Sequence, residues 1–574
     1  MDALDLGHLA MVLALACLAA TSAIGPRRAP MARRLVVAGA VAASVAVAVL
    51  ARVLVRRDYR LTYVSEVVAR SASRPYRLAG LWAAMAGSLL LYAAMAAVAV
   101  AVGSVGVARR HARLLGGYLR AGSLVAAWLL GVSLLAADPF RRLAQPAIDG
   151  VGLTPILEHP AMLVHPPLLY AGALATLPLA ALALAARWTR AVDGGVAATL
   201  VRWSLVGLVL STAALALGAR WAYVEVGWGG FWAWDPVENG GLLAWLALLT
   251  VVHVGRRPTL AVGAALAAFG AAMLGAVVTR SGAATSVHAF GEATRVGYGL
   301  SALAAVIVAV VVTTLWWTRR GLDADTPTQA APIDGTPLAG QLTLVHVVLV
   351  AVTGTVVLVG TLWPIVGRWF DGRRRAVDAR FFTAAVTPLA VLAAVGSTVA
   401  VLRLARPRAY LAGATRWSLI AGHLGLVLLV ASSIASSFGA DRTVVLAPGG
   451  STRVAGVTLT AGRAEALPRD RYRLVVLPLQ VRGRGATVTL RPGLRVYETA
   501  GAVLPETARR AGWLLDTQVA LRRFDPSGVV VFDVHMRPFI RWVWIAALVM
   551  LAAFLGAFVS SSRNRGRLSV CTPE

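Results

Sequence analysis

Residues 227–239 read GWGGFWAWDPVEN and follow a hydrophobic run without a gap. Trp228, Trp232 and Trp234 share the stretch with Phe231, three glycines, Asp235 and Glu238. Aromatic side chains are ordinary at a membrane–water interface, because an amphipathic ring favours that depth. This density is not ordinary. Glycines let flat rings or a flat ligand approach the backbone, and clustered aromatics form an apolar platform with polar edges. The stretch reads as a surface for a large planar molecule at the mouth of a membrane span.

Outward from this stretch, the whole chain is apolar. Of 574 residues 58% are hydrophobic and 14% charged, with a mean hydropathy of +0.73. Such a chain crosses a membrane many times. The net charge of +29 is not the mark of a nucleic-acid binder. There is no lysine, and the 55 basic residues are all arginine, many in short loops. That pattern fits membrane orientation and contact with anionic lipid. The two cysteines, Cys17 and Cys571, form no CxxC or CxxCH motif. The chain is therefore neither a thiol reductant nor a c-type cytochrome, and any thiol chemistry needs a partner's thiols. The start, MDALDLGHLA, has acids where a secretory signal has a basic region, and reads as an uncleaved first span.

Windows of about 20 apolar residues give thirteen spans, near 6–24, 35–55, 79–106, 116–136, 167–186, 202–219, 240–254, 259–279, 297–317, 341–363, 383–402, 414–434 and 539–560. Alternate loops are arginine-rich, which places them in the cytoplasm, the N-terminus outside and the C-terminus inside. Two outer loops, 56–77 and 367–380, break the rule by also carrying arginines. Between 435 and 538, runs such as VTLTAG, RLVVLPLQV and VVVFDV alternate apolar and polar residues between Gly and Pro, predicting five or six strands. The expected fold is an all-α polytopic membrane protein with one small outer β domain. Its parts are a helical domain over 1–434 with the aromatic platform at 219–240, the β domain over 435–538, and a last span and cytoplasmic tail over 539–574.

Topology sorts the nine histidines. His165, in HPPLLY, and His288, in TRSGAATSVHAF, lie on the outer side with the platform. Two prolines stiffen the start of the span after His165. Histidines above and below a flat iron macrocycle are a common haem ligation; the alternative is two interfacial histidines bonded to backbone. His253 and His423 lie inside spans, where an ionisable residue implies function. At 1.5 Å per residue His253 is about 20 Å from the outer side, which leaves about 10 Å to the cytoplasmic side, and His423 is about 13 Å from that side. The depths match, so one buried group held by both is allowed, as is a plain hydrogen bond between helices. His346, about 8 Å deep by the same arithmetic, sits in a more aliphatic span and ranks below His423. His159 is a spare outer ligand. His8, His111 and His535 read as structural or solvated. Near the tryptophans, Glu238 and Asn239 read as a helix start, while Glu225 and Asp235 suit either capping or the second nitrogen of a ligating histidine. No Walker loop, zinc spacing or nucleophile with a fitting base appears.

GWGGFWAWDPVEN is similar to the tryptophan-rich WWD signature of haem-handling proteins. The longer run WAYVEVGWGGFWAWDPVENGG, between HPPLLY and TRSGAATSVHAF, resembles the CcmF family of cytochrome c biogenesis proteins, as do GSLLLY, GTLWP, HLGL and the closing RPFIRWVW. The resemblance implies a haem lyase of the bacterial plasma membrane. Haem, delivered by a chaperone, would rest as substrate on a platform of Trp221, Trp228, Phe231, Trp232, Trp234 and Asp235. His165 and His288 would be its axial ligands. Thioether bonds would form to the CxxCH thiols of apocytochrome c, presented by a thiol-reducing subunit. A second, b-type haem on His253 and His423 would act as reductant. Two positions depart from the family. Phe231 stands where many relatives have tryptophan, and Ala86 where a glutamate is usual. A haem transporter, a docking subunit without catalysis, and the WWD protein of the other biogenesis system remain alternatives. A transporter needs a polar path and usually repeats, and neither is evident. The single mid-sized β insert argues against the third.

Overall fold

The computed structural model describes residues 2–24, 28–281, 294–318, 337–371, 377–405, 413–469, 472–483, 487–497, 501–525 and 527–568. Thirteen helical segments among them are long and apolar enough to cross a membrane, in register with the thirteen windows expected. In chain order the helices before the strands are α1 (Ala3–Ala23), α2 (Ala29–Arg56), the short α3 (Thr62–Val67) and α4 (Arg74–Ala83), α5 (Met85–Arg110), α6 (Leu115–Ala136), α7 (His165–Leu174), α8 (Thr176–Trp188), α9 (Gly194–Trp221), α10 (Pro236–Val254), α11 (Pro258–Arg280), α12 (Thr294–Thr318), α13 (Pro337–Asp371), α14 (Ala379–Leu404) and α15 (Gly413–Ser437). A last helix, α16 (Ile540–Leu568), follows the strands.

Local chemistry sets many of these boundaries. Asp2, Asp193, Asp235 and Asp378 cap α1, α9, α10 and α14 by accepting from backbone N–H groups of the first turn. Proline opens α2, α4, α7, α10 and α11, where its missing N–H costs nothing. Small residues set the closest helix crossing. A Cβ on Gly240 of α10 would stand 2.7 Å from the Cα of Gly275 on α11, so position 240 requires glycine. The main core runs through α1, α2, α5, α6, α8, α9, α10 and α11. By contrast α13, α14 and α15 bury little and stand at the periphery.

Two details differ from expectation. The third span is interrupted at Ala84, where extended backbone separates α4 from α5. The strand region also holds twelve strands among the described residues, not five or six. They are β1 (Ala440–Leu446), β2 (Ser451–Val454), β3 (Val457–Ala461), β4 (Glu465–Pro468), β5 (Arg473–Val476), β6 (Leu479–Arg482), β7 (Val488–Leu490), β8 (Gly493–Tyr497), β9 (Ala502–Glu506), β10 (Ala508–Arg510), β11 (Leu515–Phe524) and β12 (Val530–Pro538). Most span three to five residues, too short to register as separate periodic runs. They form three four-stranded antiparallel sheets, ordered β1-β12-β11-β10, β2-β3-β6-β7 and β4-β5-β8-β9. Leu459, Leu479, Val481, Phe532 and Val534 fill their shared core.

The arginines of loop 56–77 are in part neutralised locally. Arg60 bonds Asp58 at 2.6 Å and Asp2 at 2.8 Å, and Arg142 bonds Asp5 at 2.6 Å.

Candidate functional site

Two places gather the residues that the sequence singled out. The first is a cavity of about 450 Å³ at the end of the helices that faces the strands. His165, the first residue of α7, lies in its wall and is buried. Its ring packs over Gly218 of α9, where a Cβ would fall 2.4 Å from Cε1, and its Nδ1 is 3.0 Å from the Ala214 carbonyl oxygen. That bond orients the ring. Trp82, Tyr92, Tyr170, Trp221 and Arg280 are among the other aromatic and polar residues of the wall, with Thr154, Ser211 and Thr279, and most of the rest is aliphatic or glycine.

Of the six expected platform residues only Trp221 lines this cavity; the others pack elsewhere. Phe231 packs edge-on against Trp544 of α16, 5.9 Å between ring centres. Trp234 takes a left-handed backbone at φ 57°, stacks on Phe382 at 5.3 Å and donates from Nε1 to Thr383 Oγ1 at 3.0 Å, both on α14. Trp232 stands edge-on to Trp234 at 6.1 Å, and its buried Nε1 has no hydrogen-bond partner among the described residues. Trp228 is exposed. Asp235 is the N-cap of α10, accepting from Val237 N–H at 2.8 Å, while Glu238 accepts from the backbone of Ala233 and Asp235. This capping box gives Asp235 a structural task that fixes where the aromatic turn ends. Asn239 does more than open a helix. It is fully buried and donates to the Trp234 carbonyl at 3.2 Å and to Thr361 Oγ1 of α13 at 3.0 Å.

The strands hold this segment from the other side, which the sequence did not reveal. A turn of π-helix, Ala222–Val226, joins α9 to it. Glu225 forms a buried ion pair with Arg495 of β8 rather than meeting a histidine. Burial works against the Arg495 charge, but the bond to Glu225 prevails and raises its pKa. Gln518 donates to the Tyr223 carbonyl at 2.7 Å, and Thr507 to that of Val224. His535 reaches the Gly227 carbonyl at 3.1 Å through Nε2 and Asp441 at 2.7 Å through Nδ1. Gly229 has φ +76°, and a Cβ there would lie 2.3 Å from His535 Cγ, so glycine is required twice over. Burial pushes the Asp441 carboxyl up, but His535 and Arg537 outweigh it and hold its pKa below the ordinary value. His535 thus clamps the aromatic turn, a role that its place at the end of the chain's last strand did not signal.

The second place is a histidine cluster near the far end of the helices. His253 of α10 and His423 of α15 stand 6.4 Å apart, ring centre to ring centre. His346 of α13 joins them, 6.1 Å from His253 and 6.0 Å from His423. Each ring bonds through Nδ1 to the carbonyl four residues earlier, at 2.8 Å in all three. His346 Nε2 also meets Ser397 Oγ of α14 at 3.3 Å. The Nε2 atoms of His253 and His423 have no hydrogen-bond partner among the described residues. The aliphatic character of its span ranked His346 below His423, but distance gives it equal standing; its second bond is what sets it apart. Among the described residues no set of three or more His, Cys, Asp or Glu side chains converges tightly enough to hold a bare ion.

His288, the expected partner of His165, lies outside the described residues, as does Cys571. His159 caps a short 3-10 turn by accepting from Ala161 N–H at 3.1 Å, and burial lowers its pKa. His8 bonds Asp138 and His111 bonds Thr199. Ala86 is the second residue of α5 and does not line the cavity.

Comparison with known proteins extends this picture. Residues 82–283 match a family model described as cytochrome C assembly protein. The chain is 29% identical to cytochrome c-type biogenesis protein ccl1 of Rhodobacter capsulatus, with 98% of this chain and 97% of that one aligned. It is 31% identical to cytochrome c-type biogenesis protein CycK of Bradyrhizobium diazoefficiens, over 91% of this chain and 77% of the relative. Its fold matches a solved structure titled cytochrome c heme lyase CcmF, with a TM-score of 0.77, 21% identity and coverage of 97% and 98%. With CycK alike over most of both chains, this protein belongs to the family of cytochrome c-type biogenesis proteins that includes CcmF and CycK.

Proposed function

We propose that this chain is a cytochrome c haem lyase, joining substrate haem to apocytochrome c at the outer face of a bacterial plasma membrane. The observation that carries the reading is His165, buried in the wall of the 450 Å³ cavity beside Trp221. A largely apolar cavity of this size suits a small molecule or the inserted part of a larger one. The bond from Nδ1 holds the His165 ring in the cavity wall, and imidazole is a common ligand of haem iron. His288 is the proposed second ligand. In the reaction each CxxCH thiol adds across a haem vinyl group. One S–C bond forms, the thiol hydrogen goes to the other vinyl carbon, and no net electron is exchanged. The protein's share is to hold vinyl and thiol in register and to keep iron ligated.

A resident b-type haem on His253 and His423 would supply electrons that keep the substrate iron ferrous. The residues fit it. With metal–nitrogen bonds of about 2 Å, two imidazoles sharing one iron stand about 6 Å apart, centre to centre, against 6.4 Å here. Their Nδ1 bonds fix ring orientation and leave Nε2 for a metal. His346 is committed to Ser397, which favours the other two.

The arginine pattern supports an outer N-terminus and a cytoplasmic C-terminus. The platform aromatics Trp228, Phe231, Trp232 and Trp234, packed against α14, α16 and the strands, form the rim on which apocytochrome and its thiol-reducing, presenting subunit dock. A haem chaperone delivers to the same side. The division at 434 and 538 separates the helical body from this β module.

The test is co-expression of His165→Ala with an apocytochrome carrying one CxxCH. Covalent haem, read as in-gel peroxidase stain and pyridine haemochrome, should fall to background while the buried haem spectrum persists. Wild-type yield of covalent product would refute the ligand assignment.

A further inference from the structure

The helical body holds a second recess, apart from the His165 cavity and the histidine cluster. It is a trough of about 590 Å³ between α2, α5, α7, α8, α9 and α16. On α5 the lining residues Leu91, Met95, Val98 and Val102 recur every three or four positions and so share one face. Val98 and Val102 are exposed, which leaves that face open to the bilayer. Arg110 lines the trough about two turns further on. On α9 the lining runs from Arg202 through Val206 to Leu210, a rise of about 12 Å, close to the ~15 Å of one leaflet's hydrocarbon. The two arginines share an end. A Cβ on Gly106 would lie 3.2 Å from Trp203 Cζ2, so α9 meets α5 one turn from Arg110. The Arg202 guanidinium stands 5.1 Å over the ring of Phe558. Phe558 lies eighteen residues past Ile540, the first of α16, so this end is about 27 Å from the strands. The ring contact holds the planar group in place, and five N–H donors in its fork serve more than one acceptor at once. Among the described residues of the lining, Arg110 and Arg202 are the charged ones.

We infer that this trough binds one anionic diacyl phospholipid, its chains along the aliphatic wall and its phosphate between Arg110 and Arg202. The site goes beyond the haem reading and does not rest on it. Lipid tails are as apolar as the side chains around them, so the aliphatic wall alone selects no lipid. Selection comes from the charged end, because basic pockets between spans hold anionic headgroups and a guanidinium fork matches phosphate oxygens in pairs. Seated there, the lipid joins α5 and α9 to α16, the helix whose Trp544 packs against Phe231 at the other end.

The test is native mass spectrometry of the delipidated full chain, titrated with dioleoyl phosphatidylglycerol and separately with dioleoyl phosphatidylcholine, which has the same chains and no net charge. The wild type should bind the first phosphatidylglycerol more than tenfold tighter than the first phosphatidylcholine. Arg110→Gln and Arg202→Gln should each cut that preference about fivefold, the scale of one basic residue beside an anionic headgroup. Arg110 is exposed, so its variant keeps the fold and carries the test even if Arg202→Gln does not. Arg109→Gln, next to Arg110 but outside the trough, should keep the preference. Ala99→Trp, which fills the trough and leaves both charges, should weaken the first binding of either lipid. Equal binding of the two lipids by the wild type would overturn the inference and make the trough an ordinary contact with bulk lipid. A loss in Arg109→Gln equal to that in Arg110→Gln would also overturn it, and assign the preference to a diffuse collar of arginines.

Discussion

The aromatic turn at 227–235 and the histidine cluster at 253, 346 and 423 are held in opposite ways. The turn is fixed by partners far away in sequence: Arg495, Gln518, His535 and Arg537 grip residues from Tyr223 to Gly229 across about 300 positions. Each histidine is fixed by its own helix, through the carbonyl four residues before it. A rim built by a separate layer of strands depends on that layer staying attached. A cluster built inside helices does not. Disturbing the strands should therefore alter the outer rim and spare the buried cluster.

The largest expected effect comes from the Glu225–Arg495 ion pair, whose side chains are 11% and 10% exposed. Removing one partner strands a buried charge, at a cost of about 3–5 kcal/mol. Arg495→Met should lower the thermal midpoint of the strand region in detergent and expose it to proteolysis, with the spectrum of the proposed buried haem unchanged. A spectrum lost together with the strands would break the distinction. Next is Gly229→Ala, which forces a side chain onto a left-handed residue and into His535. A loss of about 2–3 kcal/mol and a fall in covalent product are expected. Wild-type stability would mean that the turn is free to move away from β12. The smallest effect sharpens the same contrast by pH. Asp441 has a depressed pKa in the folded protein, so its contribution is present above the unfolded value of about 3.9. It is lost as pH falls through the lower, folded value. Acidification below about pH 4 should weaken the clamp of β1 and β12 on the turn, and Asp441→Asn should flatten that acid limb. Because Asp441 is 58% exposed, the change is small. An acid limb identical in the variant would assign it to other carboxylates.

The same contrast explains what could be read from the sequence. Thirteen spans followed from hydropathy alone, and the matching depths of His253 and His423, which allow them to meet, followed from rise per residue, a local rule. The cap by Asp235 and Glu238 was also legible as Asp-Pro followed by Glu. His346 ranked below His423 because its span is more aliphatic, and neither composition nor depth says which helix faces which. The grip of His535 on Gly227, and the pairing of Glu225 with Arg495, depend on how a β layer lands on a helix end, which no local periodicity encodes. The aromatic density at 227–235 was real, but Trp221 lies in the cavity wall and Trp234 on α14, and between them the chain turns through left-handed residues at 227, 229 and 234.

The central claim is that two helix-borne imidazoles, His253 and His423, hold a resident haem apart from the substrate cavity. The most direct measurement is the reduced-minus-oxidised spectrum of the purified chain, beside its His253→Ala, His423→Ala, His346→Ala and His165→Ala variants. The account predicts a low-spin b-type α band in the wild type, kept in His346→Ala and His165→Ala and absent from the other two. A colourless wild type, or full bands in His253→Ala or His423→Ala, would contradict it.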